Sequence, residues 1–230
     1  MTTIPIQFFG AGDVIFEQTL VRYLAKNTQI IWPVEPHMVE GFNRAYPDIA
    51  FVDRTKFNID YERKDDYIQY SIRYLPLRWA DQILKVPYRK CMSAKYELYG
   101  MDYNLWRQQA MWVRDREKEE ELFQLLGCAN TEYNLVNTFF GTNSQMQVLI
   151  APVNGLKNIE MKTISGYSLF DWAKVIENAT EIHVVNSAIL FLLELLNLKA
   201  KRPNLYRRAP IETDFRNVDY LFTKDYILHM

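Results

Sequence analysis

A short glycine-rich turn, Phe9-Gly10-Ala11-Gly12-Asp13, is the first place in the chain where residue types and spacing suggest chemistry. Gly10 and Gly12 let backbone N–H groups converge at a helix N-terminus, where a phosphate or an oxyanion is favoured. The position at which a dinucleotide fingerprint needs its third glycine is Ile15, so that fingerprint is not met, although Glu35 stands at about the spacing of a ribose-binding acid. Asp13 has two readings: a helix cap on a tight turn, or a general base facing a cleft.

A second candidate is the run from His183 to Ile189, an apolar strand that ends in Asn186, Ser187 and Ala188 directly before a strongly apolar helix. The hydroxyl of Ser187 and the first N–H groups of that helix could hold a diphosphate; equally, Asn186 or Ser187 could simply cap the helix. A third is the stretch from Thr163 to Phe170, in which Ile164, Ser165, Gly166 and Leu169 form a strand end and loop able to read a nucleobase, or a plain connection capped by Ser168.

Other features carry less. His37, His183 and His229 are too dispersed for a metal site, and His183, inside a strand, reads better as a hydrogen-bonded core residue than as a catalytic one. The Asp65-Asp66 pair reads as a solvated turn. Tyrosines interleaved with Arg73, Arg78, Lys85, Arg89, Lys90, Lys95 and Arg107 make either an acceptor surface, by stacking and charge, or a half-buried aromatic layer with a basic rim.

The elements that must position these residues alternate. Strand, turn and helix are expected over Ile4–Phe9, Gly10–Asp13 and Val14–Lys26, then a strand at Gln29–Val34, a helix at Met38–Tyr46 and a strand at Ile49–Val52. Past a tyrosine-rich tract without readable topology, a helix opens in the acidic run after Arg114 and stops at Gly127. Strands follow at Tyr133–Phe139, Gln147–Ile150 and Ile159–Ile164, a helix at Ser168–Asn178 with a capping box from Ser168 and Asp171, a strand at Glu181–Val185, a helix at Ala188–Leu198, a strand from Pro203 to Tyr206, and an amphipathic tail from Asn217 to His229. Alternating β and α implies parallel sheets. We therefore expect an α/β fold of two Rossmann-like parallel-sheet halves facing a cleft, residues 1–110 and 111–230, hinged near residues 107–116.

Composition limits the classes. With 49% hydrophobic residues among 230, the chain can bury a sizeable core, and a net charge of -1 gives no overall pull toward nucleic acid or an anionic membrane. Cys91 and Cys128 fit a reducing cytoplasm better than a disulfide scaffold or a structural zinc site. No apolar run approaches the roughly 20 residues that span a bilayer, and no phosphate-loop or nucleophile-elbow motif occurs.

The segment GDVIFEQTLVRYLA resembles the first strand-turn-helix of heptosyltransferase-like GT-B glycosyltransferases, and IIWPVEPHMVEGFNRAYPDIAFVD their next strand, helix and strand. In the second half, SLFDWAKVIENATEIHVVNSAILFLLELL resembles their unit that holds the donor diphosphate. The resemblance implies a transferase that moves a sugar from a nucleotide-diphosphate donor to a glycan, glycolipid or other hydroxyl acceptor, with residues 1–110 on the acceptor side and 111–230 on the donor side. It implies Asp13 as the base of an inverting, metal-independent reaction without a cofactor. Asn186, Ser187 and Ala188 would hold the diphosphate, Lys162 would add a cation, and Ile164 to Leu169 would read the base. Two other classes remain open: an S-adenosylmethionine-dependent methyltransferase, disfavoured because Phe8 and Phe9 stand where an acid is expected, and a non-catalytic nucleotide- or glycan-binding module.

Overall fold

The computed structural model describes all residues except 8–9, 61, 141–145, 153, 208–218 and 230. The chain divides into two compact units, Met1–Val113 and Arg114–Met230.

The first unit begins with β1 (Thr2–Pro5), α1 (Ala11–Ala25), β2 (Gln29–Val34), α2 (Val39–Ala45) and β3 (Ala50–Asp53). A hairpin follows, β4 (Tyr67–Gln69) and β5 (Ile72–Leu75), then α3 (Ala80–Ile83), α4 (Cys91–Glu97) and α5 (Leu105–Gln108). The sheet order is β3-β2-β1-β5-β4. β1 pairs in parallel with both β2 and β5, and the edge strand β4 is antiparallel to β5. Tyr70 and Ser71, at φ 49 and 64, make the hairpin turn, where two left-handed residues match the twist of the strands. α1 lies deep: Val14, Ile15, Phe16, Leu20 and Val21 are fully buried, so the helix is covered on more than the single stripe its spacing suggests. Pro33 does not cut β2 short, because by that residue β2 pairs with β3 and has left β1.

The second unit contains α6 (Arg116–Leu125), β6 (Tyr133–Asn137), a small antiparallel pair β7 (Phe139–Phe140) and β8 (Met146–Gln147), β9 (Lys157–Glu160), α7 (Ala173–Asn178), β10 (Glu181–Val185), α8 (Ile189–Leu195), β11 (Asn204–Tyr206) and β12 (Ile227–His229). Its five-stranded sheet has the order β12-β11-β10-β6-β9, and every pairing in it is parallel. β6 and β10 are the buried centre, as an all-parallel sheet covered on both faces requires. Asn134, fully buried on β6, is satisfied by the side chains of Asn154 and Asn158 at 2.8 to 2.9 Å. The Arg114 guanidinium binds Glu177 at 2.8 Å with two nitrogens and also grips Glu119, which ties α6 to α7.

Several expected elements differ in extent. The first strand ends at Pro5, and Phe8 and Phe9 lie outside the described residues. The strand expected over Ile159–Ile164 ends at Glu160, so Lys162 and Ile164 belong to the loop. The Gln147–Ile150 strand is only the short β8, outside the parallel sheet. The helix expected at Ala188–Leu198 is the seven-residue α8. Of the tail, residues 217–218 lie outside the described residues, and Ile227–His229 form β12. Among the described residues no helix is long and apolar enough to cross a membrane.

The helical segment before β10 does begin with the expected capping box, in which the Ser168 N–H donates to the Asp171 carboxylate at 2.6 Å. Ser168→Ala should therefore lower stability by about 1 kcal/mol, measured as a drop in the urea midpoint with secondary structure unchanged.

Candidate functional site

The turn after β1 delivers Gly10 as the N-cap residue of α1, with an extended backbone and no side-chain cap bond. Asp13 is therefore not the cap. It sits in the first turn of α1, and its carboxylate folds back over Gly10 so closely that an added Cβ would lie 2.1 Å from Oδ2. Glycine at position 10 is the space that Asp13 occupies, while Gly12 is buried within α1.

Glu17 lies one helical turn beyond Asp13, on the same face. Into the gap between them comes Lys95 of α4. Its Nζ donates to Asp13 Oδ1 at 2.5 Å and to Glu17 Oε1 in a still closer contact. Side-chain exposure grades across the trio, 29% for Asp13, 5% for Lys95 and none for Glu17. Burial alone would pull the Lys95 ammonium down, but the two carboxylates outweigh it and hold the group charged, above the usual lysine range. Burial pushes the Glu17 carboxyl up to about 8 against the pull of Lys95, with Asp13 adding to the rise. Nearby, burial also raises the Cys91 thiol, which leaves it protonated at neutral pH and unsuited to nucleophilic work.

The position of Asp13 follows from topology. From β1 the chain runs to β2 and β3 on one side, and it returns to β5 on the other. The crevice at the carboxyl ends of β1 and β5 is thus the switch point of this sheet, the place where open parallel sheets bind ligands. It is closed at its base by Ile6, whose N–H donates to Leu75 O at 2.7 Å and whose carbonyl accepts from Arg78 N at 3.1 Å.

The second sheet has its own switch point, because β9 lies on one side of β6 while β10 to β12 lie on the other. The crevice is therefore between the ends of β6 and β10. There Asn137 closes β6 and Asn186-Ser187-Ala188 leads from β10 into α8. The Ser187 hydroxyl donates to Asn137 Oδ1 at 3.2 Å and is not the helix cap. The N-cap of α8 is Ala188, without a side-chain bond, and the first helical N–H groups bond to the Ser187 and Ala188 carbonyls. Asn186, Ser187 and Ala188 are all half-buried.

The third candidate segment is a loop. Tyr167 N donates to Ile164 O at 3.1 Å, and Gly166 adopts φ 83, a conformation that favours glycine. Ser165 and Gly166 are exposed, Ile164 and Leu169 half-buried, and Ser168 serves as the cap already described. Lys162 is exposed.

Other sequence candidates fall into structural roles. His183 is buried and bonds Tyr206 at 3.1 Å and Glu181 at 3.0 Å. Glu35, placed at ribose-binding spacing, is engaged by Arg54 at 2.7 Å. Asp65 and Asp66 pair with Arg63 and Arg73. The tyrosine-rich tract is not one surface: Tyr96 and Trp106 are core, while Tyr70 and Tyr88 are exposed. Lys95, grouped by sequence with the rim cations, points inward. Sequence reasoning passed over Glu17, Lys95 and Asn137 as site residues; the one available signal was the Asp13/Glu17 spacing of one helical turn.

No protein-family model matches the chain, and no curated protein sequence does. Solved structures do resemble it. A glycosyl transferase of family 9 from Veillonella parvula superposes with a TM-score of 0.52 at 12% identity, over 100% of this chain and 86% of that one. The chain has the two-half α/β fold of GT-B glycosyltransferases. The dodecameric iron-containing glycosyltransferase TibC of enterotoxigenic Escherichia coli gives 0.51 at 14% identity, over 89% of this chain and 57% of that chain. TibC in complex with ADP-D-β-D-heptose gives 0.52 at 13% identity, over the same shares. Among the described residues no three His, Cys, Asp or Glu side chains come together as a metal site.

The buried Glu17 makes stability depend on pH. Its folded proton affinity exceeds that of an unfolded glutamate, so the folded state binds more protons, and the contribution is lost as pH rises from about 4.5 toward 8. Glu17→Gln carries no such loss. Its urea midpoint should therefore rise relative to that of the parent protein as pH is raised from 5 to 8; a difference independent of pH would contradict the assignment.

Proposed function

We propose that the chain is a nucleotide-sugar glycosyltransferase, with acceptor chemistry in residues 1–113 and donor binding in residues 114–230. The observation that carries the reading is the occupancy of the two switch points. One holds a partly exposed carboxylate on a buried ammonium, suited to moving a proton; the other holds small polar groups before a helix, suited to an anion.

In the donor half, the Ser187 hydroxyl, the Asn137 amide and the N–H groups of Ala188 and Ile189 receive the diphosphate, as Asn186 completes the turn. Lys162 supplies a cation, and the loop of Ile164, Ser165, Gly166 and Leu169 reads the base through its exposed backbone. The TibC complex supports an ADP-linked sugar as the first donor to try. In the acceptor half, the exposed ring of Tyr88, near enough to Asp13 for their charges to interact, offers a stacking face for a glycan.

The step is a single displacement. Asp13 takes the proton of an acceptor hydroxyl, the hydroxyl oxygen bonds to the anomeric carbon, and the bond to the diphosphate oxygen breaks with its electron pair. The configuration inverts, and the leaving charge is stabilised by the helix-end donors. No metal is assigned a part in this step.

Asp13→Asn should reduce transfer by about 100-fold or more, with nucleotide affinity unchanged by calorimetry; loss of both together would make Asp13 structural. A thermal-shift panel of nucleoside diphosphates, their sugars and S-adenosylmethionine tests the donor class. A ligand at 100 times its Kd should stabilise by about 2.7 kcal/mol. Stabilisation by S-adenosylmethionine alone, or by no nucleotide diphosphate, overturns the reading. Ser187→Ala should weaken the nucleotide diphosphate about tenfold, consistent with the loss of one hydrogen bond to a charged group.

A further inference from the structure

We propose that Lys95 and Gly10 are positioning residues for the Asp13 base: the first anchors Oδ1, the second leaves room for Oδ2, and Oδ2 is thereby the oxygen that takes the acceptor proton. The catalytic part of this inference rests on the glycosyltransferase reading; the fixed carboxylate does not.

The two oxygens of Asp13 have different surroundings. Oδ1 accepts from Lys95 Nζ at 2.5 Å, and the Lys95 side chain is only 5% exposed, so this oxygen faces the interior. Oδ2 lies over Gly10 and takes no hydrogen bond among the described residues. A carboxylic acid carries its proton on one oxygen, and an oxygen already engaged by a buried ammonium is the poorer place for it. When the acceptor hydroxyl gives up its proton, Oδ2 receives it, while Oδ1 becomes the carbonyl oxygen and keeps its bond to Lys95.

Lys95 serves as a fixed anchor because its own place is set from two sides. Its Nζ also donates to Glu17 Oε1, and a carboxyl that holds a proton, as the buried Glu17 does at neutral pH, still offers an accepting oxygen. The anchor therefore needs no charge on Glu17. The neighbouring Tyr96 hydroxyl donates to Phe16 O at 2.8 Å, and the Tyr96 ring packs edge-on against Phe16 at 5.1 Å, which pins α4 to α1.

Gly10 is not required by its backbone. Its φ of -108 and ψ of 124 are extended values that any residue adopts. Glycine is required by the space beside it: the three atoms nearest to an added Cβ all belong to Asp13, with Oδ2 at 2.1 Å and Cγ at 3.2 Å. A methyl group at position 10 would therefore force the carboxylate out of the place in which Lys95 holds it. One side chain grips the carboxylate from α4, and one missing side chain makes the gripped position possible.

The test follows the χ1 angle of Asp13 in the full chain by NMR three-bond couplings, for the parent, Lys95→Met and Gly10→Ala, alongside kcat and the donor KM. The parent should show a single staggered rotamer, Lys95→Met a mixture, and Gly10→Ala a population moved away from the parent's. Each variant should lose about tenfold or more in kcat with the donor KM unchanged. Introduced into Asp13→Asn, neither should lower the residual rate further, because both act only through the carboxylate. A χ1 population that neither variant alters overturns the proposal, as does a kcat that both leave in place or a further loss of rate in the Asp13→Asn background. If Lys95→Met does not fold, Gly10→Ala carries the test alone, since the backbone at position 10 accepts alanine. A parent that transfers no sugar, with the χ1 changes as expected, overturns the glycosyltransferase reading and leaves the fixed carboxylate standing.

Discussion

Two adjacent parallel strands cannot be joined by a tight turn; each pairing needs a crossover that returns over a face of the sheet. The placement of both candidate sites depends on that constraint. In each unit the first strand sends its successor to one side and receives a later strand on the other, so the crossovers diverge at β1/β5 and at β6/β10. Diverging crossovers leave a crevice at the carboxyl edge that no connection covers. Residues that end those strands are thereby held by the rigid centre of a sheet and still reach solvent. Asp13 and Ser187 owe their availability to this geometry more than to their immediate neighbours.

Inside, the two units handle buried polarity differently. In the second unit Arg114 is matched by two carboxylates, and Asn134 by two asparagines, so these two groups serve as ties between elements. In the first unit one buried ammonium, Lys95, is shared by Asp13 and Glu17, and Glu17 Oε2 has no hydrogen-bond partner among the described residues.

How much was legible in the sequence depended on how local the cause was. β2 and β10 were readable residue for residue, since short apolar runs between breakers admit few alternatives. The capping box of Ser168 and Asp171 was readable because its partners lie three residues apart. The strand expected to reach Ile164 stops at Glu160, because its end is set by the length of its partner β6 and not by its own composition. In the tyrosine-rich tract Lys95 and Lys90 look alike as residues, yet one is buried on two carboxylates and the other lies exposed. Only long-range packing separates them.

By itself the sequence determined the alternation of strands and helices, the α/β class, and the turn at Asn186–Ala188, all of which depend on interactions within a few residues; the turn expected over Gly10–Asp13 is cut short, since α1 already begins at Ala11. Tertiary structure alone decided that Asp13 is not a helix cap, that Ser187 bonds Asn137 and not its own helix, and that Glu17 and Lys95 belong with Asp13. Those facts rest on pairings 50, 78 and 82 residues apart in the chain. Local propensity carries no information about contacts at such separations; the order in which parallel strands assemble does.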